Sequence, residues 1–167
     1  LGVGRLTRQK DFPTLVHAFA EVRRRRPARL IILGEGEDRP LLEALAAELG
    51  VADDVALPGF RDDAATYMAG SAVFVLSSAW EGLPTVLIEA LAAGAQVVST
   101  DCPSGPREIL QDGRLGALVP VGDRAALAEA MVAALDRPAG PVAAAALMPF
   151  TRDAAVDHYL RLIENCA

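Results

Sequence analysis

Short runs of aliphatic and β-branched residues, each the length of one sheet strand, alternate along this chain with segments of helical period, and few folds accommodate that alternation. The runs are Leu1-Gly2-Val3-Gly4, Arg29-Leu30-Ile31-Ile32-Leu33, Asp54-Val55-Ala56-Leu57, Ala72-Val73-Phe74-Val75-Leu76, Gln96-Val97-Val98-Ser99 and Gly116-Ala117-Leu118-Val119. The fourth is apolar throughout, the pattern of a parallel strand covered on both faces. Helices are expected from Asp11-Phe12-Pro13 onward, from about Arg39 to Leu49 with Leu41, Leu42, Leu45 and Leu49 facing in, and from Asp62 to Ala69. Others are expected from Pro84 to Gly94, near Pro106 to Leu110, and from an Asp123 cap to about Leu135. A turn, Pro58-Gly59-Phe60-Arg61, is expected after the third strand. Strand then helix, repeated, predicts an α/β fold: a doubly wound, Rossmann-like parallel sheet with right-handed crossovers.

With 167 residues the chain is one domain of ordinary size. Arg137-Pro138-Ala139-Gly140-Pro141 breaks it, so residues 1–136 read as the sheet domain and 137–167 as terminal helices. The last of these, from about Thr151 to Glu164, carries Val156, Tyr159, Leu160 and Ile163 as an apolar stripe suited to packing outside this sheet. A net charge of -6 argues against a nucleic-acid-binding surface. The basic run Arg23-Arg24-Arg25-Arg26 falls at a helix end before Pro27, where solvated cations suit the dipole. Cys102 and Cys166 show no metal-ligand spacing, which predicts free thiols in a reducing compartment and no metal site. No stretch approaches the ~20 apolar residues of a membrane span, and none resembles a signal peptide. Opening on a strand without methionine, the chain reads as a piece of something longer.

The chemistry concentrates between Ser77 and Gly94. Within the helix from Pro84 only Glu89 is charged, with Thr85, Val86, Ala92 and Ala93 around it; buried there, it needs a partner, either ligand hydroxyls or an arginine of the fold. The helix tip offers N–H groups around Leu83 to Val86 and a partial positive charge, an anion site. The carboxyl edge of the sheet collects further groups: Arg5 and Lys10 after the first strand, Gly34 and Gly36 after the second, Phe60 and Arg61 after the third, Glu81 and Gly82 after the fourth. Cations with backbone donors suit a diphosphate, and carboxylates suit sugar hydroxyls, so the set reads as a nucleotide-sugar site. Taken alone, Gly34-Glu35-Gly36 reads first as a tight turn, lacking the third glycine and the acidic residue of a dinucleotide fingerprint. His17 and His158 read as structural or solvated, Ser78 and Ser104 lack a nucleophile-elbow pattern, and Asp53-Asp54 and Asp62-Asp63 read as caps.

In order along the chain, Val3-Gly4-Arg5-Leu6 with Gln9-Lys10-Asp11-Phe12, then Gly34-Glu35-Gly36 with Leu41, then Glu81-Gly82-Leu83-Pro84 running to Glu89, then Pro103-Ser104-Gly105-Pro106-Arg107-Glu108-Ile109, resemble the retaining glycosyltransferases of family 4, or glycosyltransferase group 1. The resemblance covers nearly the whole chain and implies the C-terminal donor-binding half of a GT-B fold. It implies that Arg5 and Lys10 hold the donor diphosphate as leaving group, with Gly4 and Gly34 beside it, and that Glu81 contacts the transferred sugar. It further implies ribose on Glu89, phosphate on Gly82, Leu83, Pro84, Thr85 and Val86, and the base near Phe60 and Arg61. No metal or other cofactor is expected. The partners implied are a nucleotide-diphosphate sugar and, through an N-terminal acceptor domain absent from this sequence, a saccharide or lipid-linked acceptor, with no nucleic acid. The setting implied is cytoplasmic, at the inner face of the membrane for a full-length enzyme associated with it peripherally. The isolated chain is expected to bind donor weakly and turn over little.

Three rivals stand beside this reading. A sugar-nucleotide epimerase of the same fold would need an acid and base around the sugar carbons. A glycoside hydrolase would have no use for Arg5, Lys10 and a phosphate cradle. A non-catalytic nucleotide-binding module would share the site without the chemistry.

Overall fold

In the computed structural model of the chain, which describes residues 1–137, 140 and 142–165, the alternation resolves into parallel strands and intervening helices. In order these are β1 (Gly2–Val3), α1 (Phe12–Arg25), β2 (Leu30–Leu33), α2 (Arg39–Glu48), β3 (Val55–Gly59), α3 (Ala64–Gly70), β4 (Phe74–Leu76) and α4 (Thr85–Ala92). There follow β5 (Val97–Thr100), α5 (Pro106–Ile109), β6 (Ala117–Val119), α6 (Arg124–Asp136), α7 (Ala144–Leu147) and α8 (Arg152–Asn165). Pro138, Ala139 and Pro141 of the expected chain break, and Cys166, lie outside the described residues.

Strand β2 pairs in parallel with both β1 and β3, and β5 with both β4 and β6. Leu1 joins the two ladders: its nitrogen donates to the Val73 carbonyl and its carbonyl accepts from Val75 N–H, each at 2.8 Å. The spatial order is therefore β3-β2-β1-β4-β5-β6, with the sequence order reversing between β1 and β4. At such a reversal the connecting loops diverge and leave a crevice beyond the carboxyl ends of the strands.

Helices α1, α2 and α6 cover one face of the sheet, and α3, α4 and α5 the other. Strand β4 shows why its run has no polar position: Val75 packs into the first core and Phe74 and Leu76 into the second. Asp11 starts α1 from a left-handed conformation (φ 44°), its carboxylate accepting from the Thr14 hydroxyl at 2.7 Å. Gly94, with φ 81°, stops α4 as expected.

Several expectations are corrected. Leu41 is 53% exposed, while Leu42 and Ala46, one turn apart, take the inward positions of α2. The expected turn at Pro58-Gly59 is still strand: β3 runs through Gly59 with an extra residue opposite β2, where Ile31 pairs Ala56 and Leu33 pairs Gly59. An edge strand tolerates proline at such a bulge because no neighbour needs its missing N–H. The four arginines at the end of α1 are not simply solvated. Arg23 pairs with Asp54, Arg24 with Glu21, Arg25 with Glu129 and Arg26 with Asp136, the last two tying α1 to α6. Asp54 and Asp63 serve as ion-pair partners, and Asp63 makes no cap hydrogen bond.

Candidate functional site

The loop from β1 to α1 lies directly on the β2–α2 turn. Gly4 N–H donates to the Leu33 carbonyl, Leu6 N–H to that of Glu35 and Asp38 N–H to that of Leu6, each at 2.9 Å. A Cβ on Gly34 would stand 1.9 Å from the Gly4 carbonyl oxygen, and one on Gly36 2.2 Å from that of Leu6. Both glycines are thus required by loop-on-loop contact, with the Leu6 side chain fully buried as the anchor. Gly4 in turn abuts Lys10, whose Cε would lie 2.9 Å from a Cβ at that position.

Lys10 points across the switch point to the loop after β4. Its Nζ donates to Glu81 Oε1 at 2.6 Å, with the two side chains only 14% and 6% exposed. Ser78 Oγ donates to the same oxygen at 2.6 Å, and Gln9 Nε2 reaches Oε2 at 3.5 Å and the Trp80 carbonyl at 3.1 Å. The main chains are sewn together too, Ala79 N–H donating to the Gln9 carbonyl at 2.8 Å and Ser77 Oγ to that of Lys10 at 2.7 Å. One edge of the crevice therefore carries a largely buried ammonium–carboxylate pair held by four neighbouring residues.

The tip of α4 stands next along the chain. Pro84, buried, occupies the cap position itself, one residue before the first helical turn. Thr85 N–H is spent on the Leu83 carbonyl at 2.9 Å, so of the four expected positions only Leu83 and Val86 keep an N–H without an acceptor among the described residues. The loop after β5 braces this tip: the Pro103 carbonyl accepts from Glu81 N–H at 3.4 Å, and a Cβ on Gly105 would fall 2.4 Å from Pro84 Cδ.

The remaining expected residues are looser. Arg5 is exposed and, among the described residues, its guanidinium has no partner. Phe60 is 78% exposed; Arg61 is turned onto Asp63 at 3.1 Å and over the Tyr67 ring. Glu89 is exposed on the outer side of α4, and neither a buried setting nor an arginine partner is found for it among the described residues. The desolvation argument for Glu89 is thereby overturned: small neighbours on a helix do not bury a residue when no second element covers that side.

Beside the pair, burial, and next the nearby Glu81 charge, push the Cys102 thiol above its ordinary range, which keeps it protonated. No group of three or more His, Cys, Asp or Glu that could hold a metal occurs among the described residues. An apolar cleft of about 580 Å³ opens at the opposite end of the strands, lined by Leu30, Ala72 and Val73 among others, and holds none of these site residues.

The family described as Glycosyl transferases group 1 matches residues 1–137. This chain belongs to that family. It is 36% identical over 171 aligned residues to the lipopolysaccharide core biosynthesis glycosyltransferase LpsE of Rhizobium meliloti, covering 99% of this chain and 49% of the relative. It is 41% identical over 121 residues to an N-acetylgalactosaminyltransferase of Campylobacter jejuni acting on a diphospho-undecaprenol saccharide, covering 72% of this chain and 33% of that one. Among solved structures, Anabaena HepE in complex with UDP superposes with a TM-score of 0.73 at 25% identity, over 81% of this chain and 38% of that one. The chain thus spans about half or less of the length of these relatives. Its fold is the C-terminal, Rossmann-like half of a GT-B glycosyltransferase.

In this glycosyltransferase domain, Gln9, Ser77, Ser78 and Pro103 are site-building residues that sequence reasoning did not assign. A signal for the serines was present: two hydroxyls directly follow the fully apolar β4, three and four residues before Glu81. Polar side chains at the end of a buried strand must find partners, and the nearest polar groups are those of the crevice.

Proposed function

We propose that this domain binds the nucleotide-diphosphate sugar donor of a retaining, family 4 glycosyltransferase, and that the full-length enzyme transfers the sugar to an acceptor held by a second domain. The observation that carries the reading is the Lys10–Glu81 pair, 2.6 Å apart at the strand-order reversal, with the Leu83 and Val86 amides, unengaged among the described residues, following at the tip of α4. A cation and a carboxylate side by side match a ligand whose diphosphate is bonded to a hydroxyl-bearing sugar. Lys10 and Arg5 neutralise the diphosphate as the bond from the anomeric carbon to the phosphate oxygen breaks and the electron pair leaves with the phosphate. The acceptor hydroxyl oxygen bonds the anomeric carbon on the same face of the sugar, and its proton passes to the departing diphosphate. Glu81 orients the transferred sugar, Glu89 accepts from the ribose, and Phe60 with Arg61 lies near the base. UDP is the first nucleotide to try, since HepE is a UDP complex. Two cations and a helix tip supply the charge compensation, so no metal is required.

Acceptor recognition belongs to a domain outside these residues. The exposed face of α8, with Tyr159 at 68%, Leu160 at 52% and Ile163 at 66% exposure, suits packing against it. The relatives named for lipopolysaccharide core and diphospho-undecaprenol saccharides support a cell-surface glycan as the product, and the proposed setting of the full-length enzyme is the cytoplasm at the inner membrane face. None of the described helices is long and apolar enough to cross a membrane. By itself the chain binds donor and turns over little.

Calorimetric titration of UDP into the chain tests this. Arg5→Ala and Lys10→Ala should each weaken binding by about 1.5–3 kcal/mol, the range for hydrogen bonds to charged groups. Unchanged affinity in both removes the phosphate assignment, and robust sugar transfer by the 167 residues alone overturns the need for a second domain.

A further inference from the structure

Apart from Thr14, the buried polar side chains of the described residues gather at the carboxyl ends of β4 and β5: Ser77, Ser78, Ser99 and Thr100, each at most 1% exposed. Buried hydroxyls are costly unless bonded, and each of these donates. Ser99 Oγ bonds the Thr100 carbonyl at 2.8 Å, and Thr100 Oγ1 bonds the Ser78 carbonyl at 2.7 Å, so β5 fixes the main chain of the loop after β4. The two serines then reach different targets. Ser77 Oγ holds the Lys10 carbonyl at 2.7 Å, and Ser78 Oγ holds Glu81 Oε1 at 2.6 Å.

We propose that these adjacent serines are positioning residues with divided tasks, Ser77 placing the cation and Ser78 the carboxylate; this deepens the donor-site reading and rests on it. The occupancy of the carboxylate explains the division. Oε1 is saturated by Lys10 and Ser78, whereas among the described residues Oε2 has only Gln9 at 3.5 Å, which leaves Oε2 as the acceptor for a sugar hydroxyl. When a diphosphate draws the Lys10 ammonium away, Ser78 still holds Oε1 and keeps Oε2 aimed at the sugar. Ser77 acts earlier, through the main chain from which Lys10 projects, and among the described residues it makes no hydrogen bond to Glu81.

The test is calorimetry of the chain with UDP and with UDP-glucose, UDP-galactose and UDP-N-acetylglucosamine, using the tightest of the sugars to form the ratio of the UDP-sugar Kd to the UDP Kd. Ser78→Ala should leave UDP within about twofold and raise the ratio about fivefold, the fold-change that corresponds to the net worth of one hydrogen bond. Ser77→Ala should weaken UDP and UDP-sugar by the same factor and leave the ratio unchanged. Glu81→Ala should raise the ratio by itself, and Ser78→Ala added to it should do nothing further. Ser77→Cys and Ser78→Cys, similar in volume but poor donors, should repeat the alanine results and guard against a packing artefact. If the wild type binds UDP but Ser78→Ala leaves the ratio unchanged, or both serine variants behave alike, the division of tasks is overturned while the donor reading stands. If the alanine and cysteine forms all fail to fold, the serines serve the fold alone and the proposal falls. If the wild type binds neither UDP nor any UDP-sugar, the donor reading fails and takes this proposal with it.

Discussion

Lys10 Nζ and Glu81 Oε1 lie 2.6 Å apart although 71 positions separate them in the chain. On the proposed donor reading, a diphosphate competes with that carboxylate for the ammonium. Glu81→Gln removes the competitor and leaves Lys10 beside a neutral amide. UDP should therefore bind this variant at least as tightly as the wild type, by up to about fivefold more, since replacing a charged hydrogen-bond partner by a neutral one is worth on the order of 1 kcal/mol. A UDP-sugar should bind it less tightly than UDP does. Calorimetry with both ligands checks the two signs, and weaker UDP binding would mean that Glu81 supports the diphosphate instead of opposing it.

Gly34 joins the two loops that carry the cations and the glycine turn. With φ +135° and a would-be Cβ 1.9 Å from the Gly4 carbonyl oxygen, Gly34→Ala must displace the loop leading to Arg5 and Lys10. A loss of several kcal/mol is expected, in the range of severe backbone and packing changes. Gly50, also at positive φ (+70°) but with nothing within 4 Å, should cost only about 1 kcal/mol as Gly50→Ala. Urea denaturation of the two variants separates steric contact from backbone conformation.

How far the sequence could be read differs from one element to the next. The strands were legible as short aliphatic and β-branched runs, most clearly β4, whose three apolar residues are all buried, and the helix ends at Asp11, Gly94 and Asp123 announce themselves through their own side chains or lack of one. Leu41 was misplaced because a run of neighbouring leucines leaves the phase of a helix undetermined until its neighbours are known; Leu42 and Ala46 fix that phase. Arg5, Lys10 and Glu81 were legible as charged groups at the carboxyl edge of the sheet, but the direct Lys10–Glu81 contact was not, since it depends on Leu1 joining the two ladders. Glu89 was misread for a similar reason. Local sequence shows which residues surround a side chain on its own helix and not whether another element lies over it.

Leu42→Ala should cost about 2–5 kcal/mol as a fully buried leucine, whereas Leu41→Ala should stay within about 0.5 kcal/mol. Denaturant midpoints of the two neighbouring variants check the corrected phase of α2. Equal effects would place both side chains in the core.

His17 lies in the groove between α1 and α6 with Glu21, Arg25, Arg124 and Glu129 around it. Partial burial, and next the Arg124 charge, hold its imidazole below the ordinary value, with Glu48 pulling weakly the other way. The folded chain therefore takes up this proton less readily than the unfolded chain. As pH falls through the ordinary imidazole range, the unfolded state protonates first and stability drops; as pH rises again the loss is recovered. Urea midpoints measured from about pH 7.5 down to about pH 5.5 should fall more steeply for the wild type than for His17→Gln, which lacks the titrating group. Arg124→Gln should reduce the slope without abolishing it, because burial remains.

Glu89 offers the cleanest separation of fold from function. Exposed, and without an ion-pair partner among the described residues, it contributes little to stability, so Glu89→Gln should unfold within about 0.5 kcal/mol of the wild type. Its proposed task is to accept hydrogen bonds from ribose, a little over one turn into a helix whose tip is the proposed phosphate site. UDP affinity should fall in the variant by about tenfold, as for loss of a charged acceptor. The wild type should bind UDP more tightly than its 2′,3′-dideoxy analogue, and Glu89→Gln should lose most of that preference. A variant that keeps the preference would place the ribose elsewhere while leaving the diphosphate between Lys10 and the α4 tip untouched.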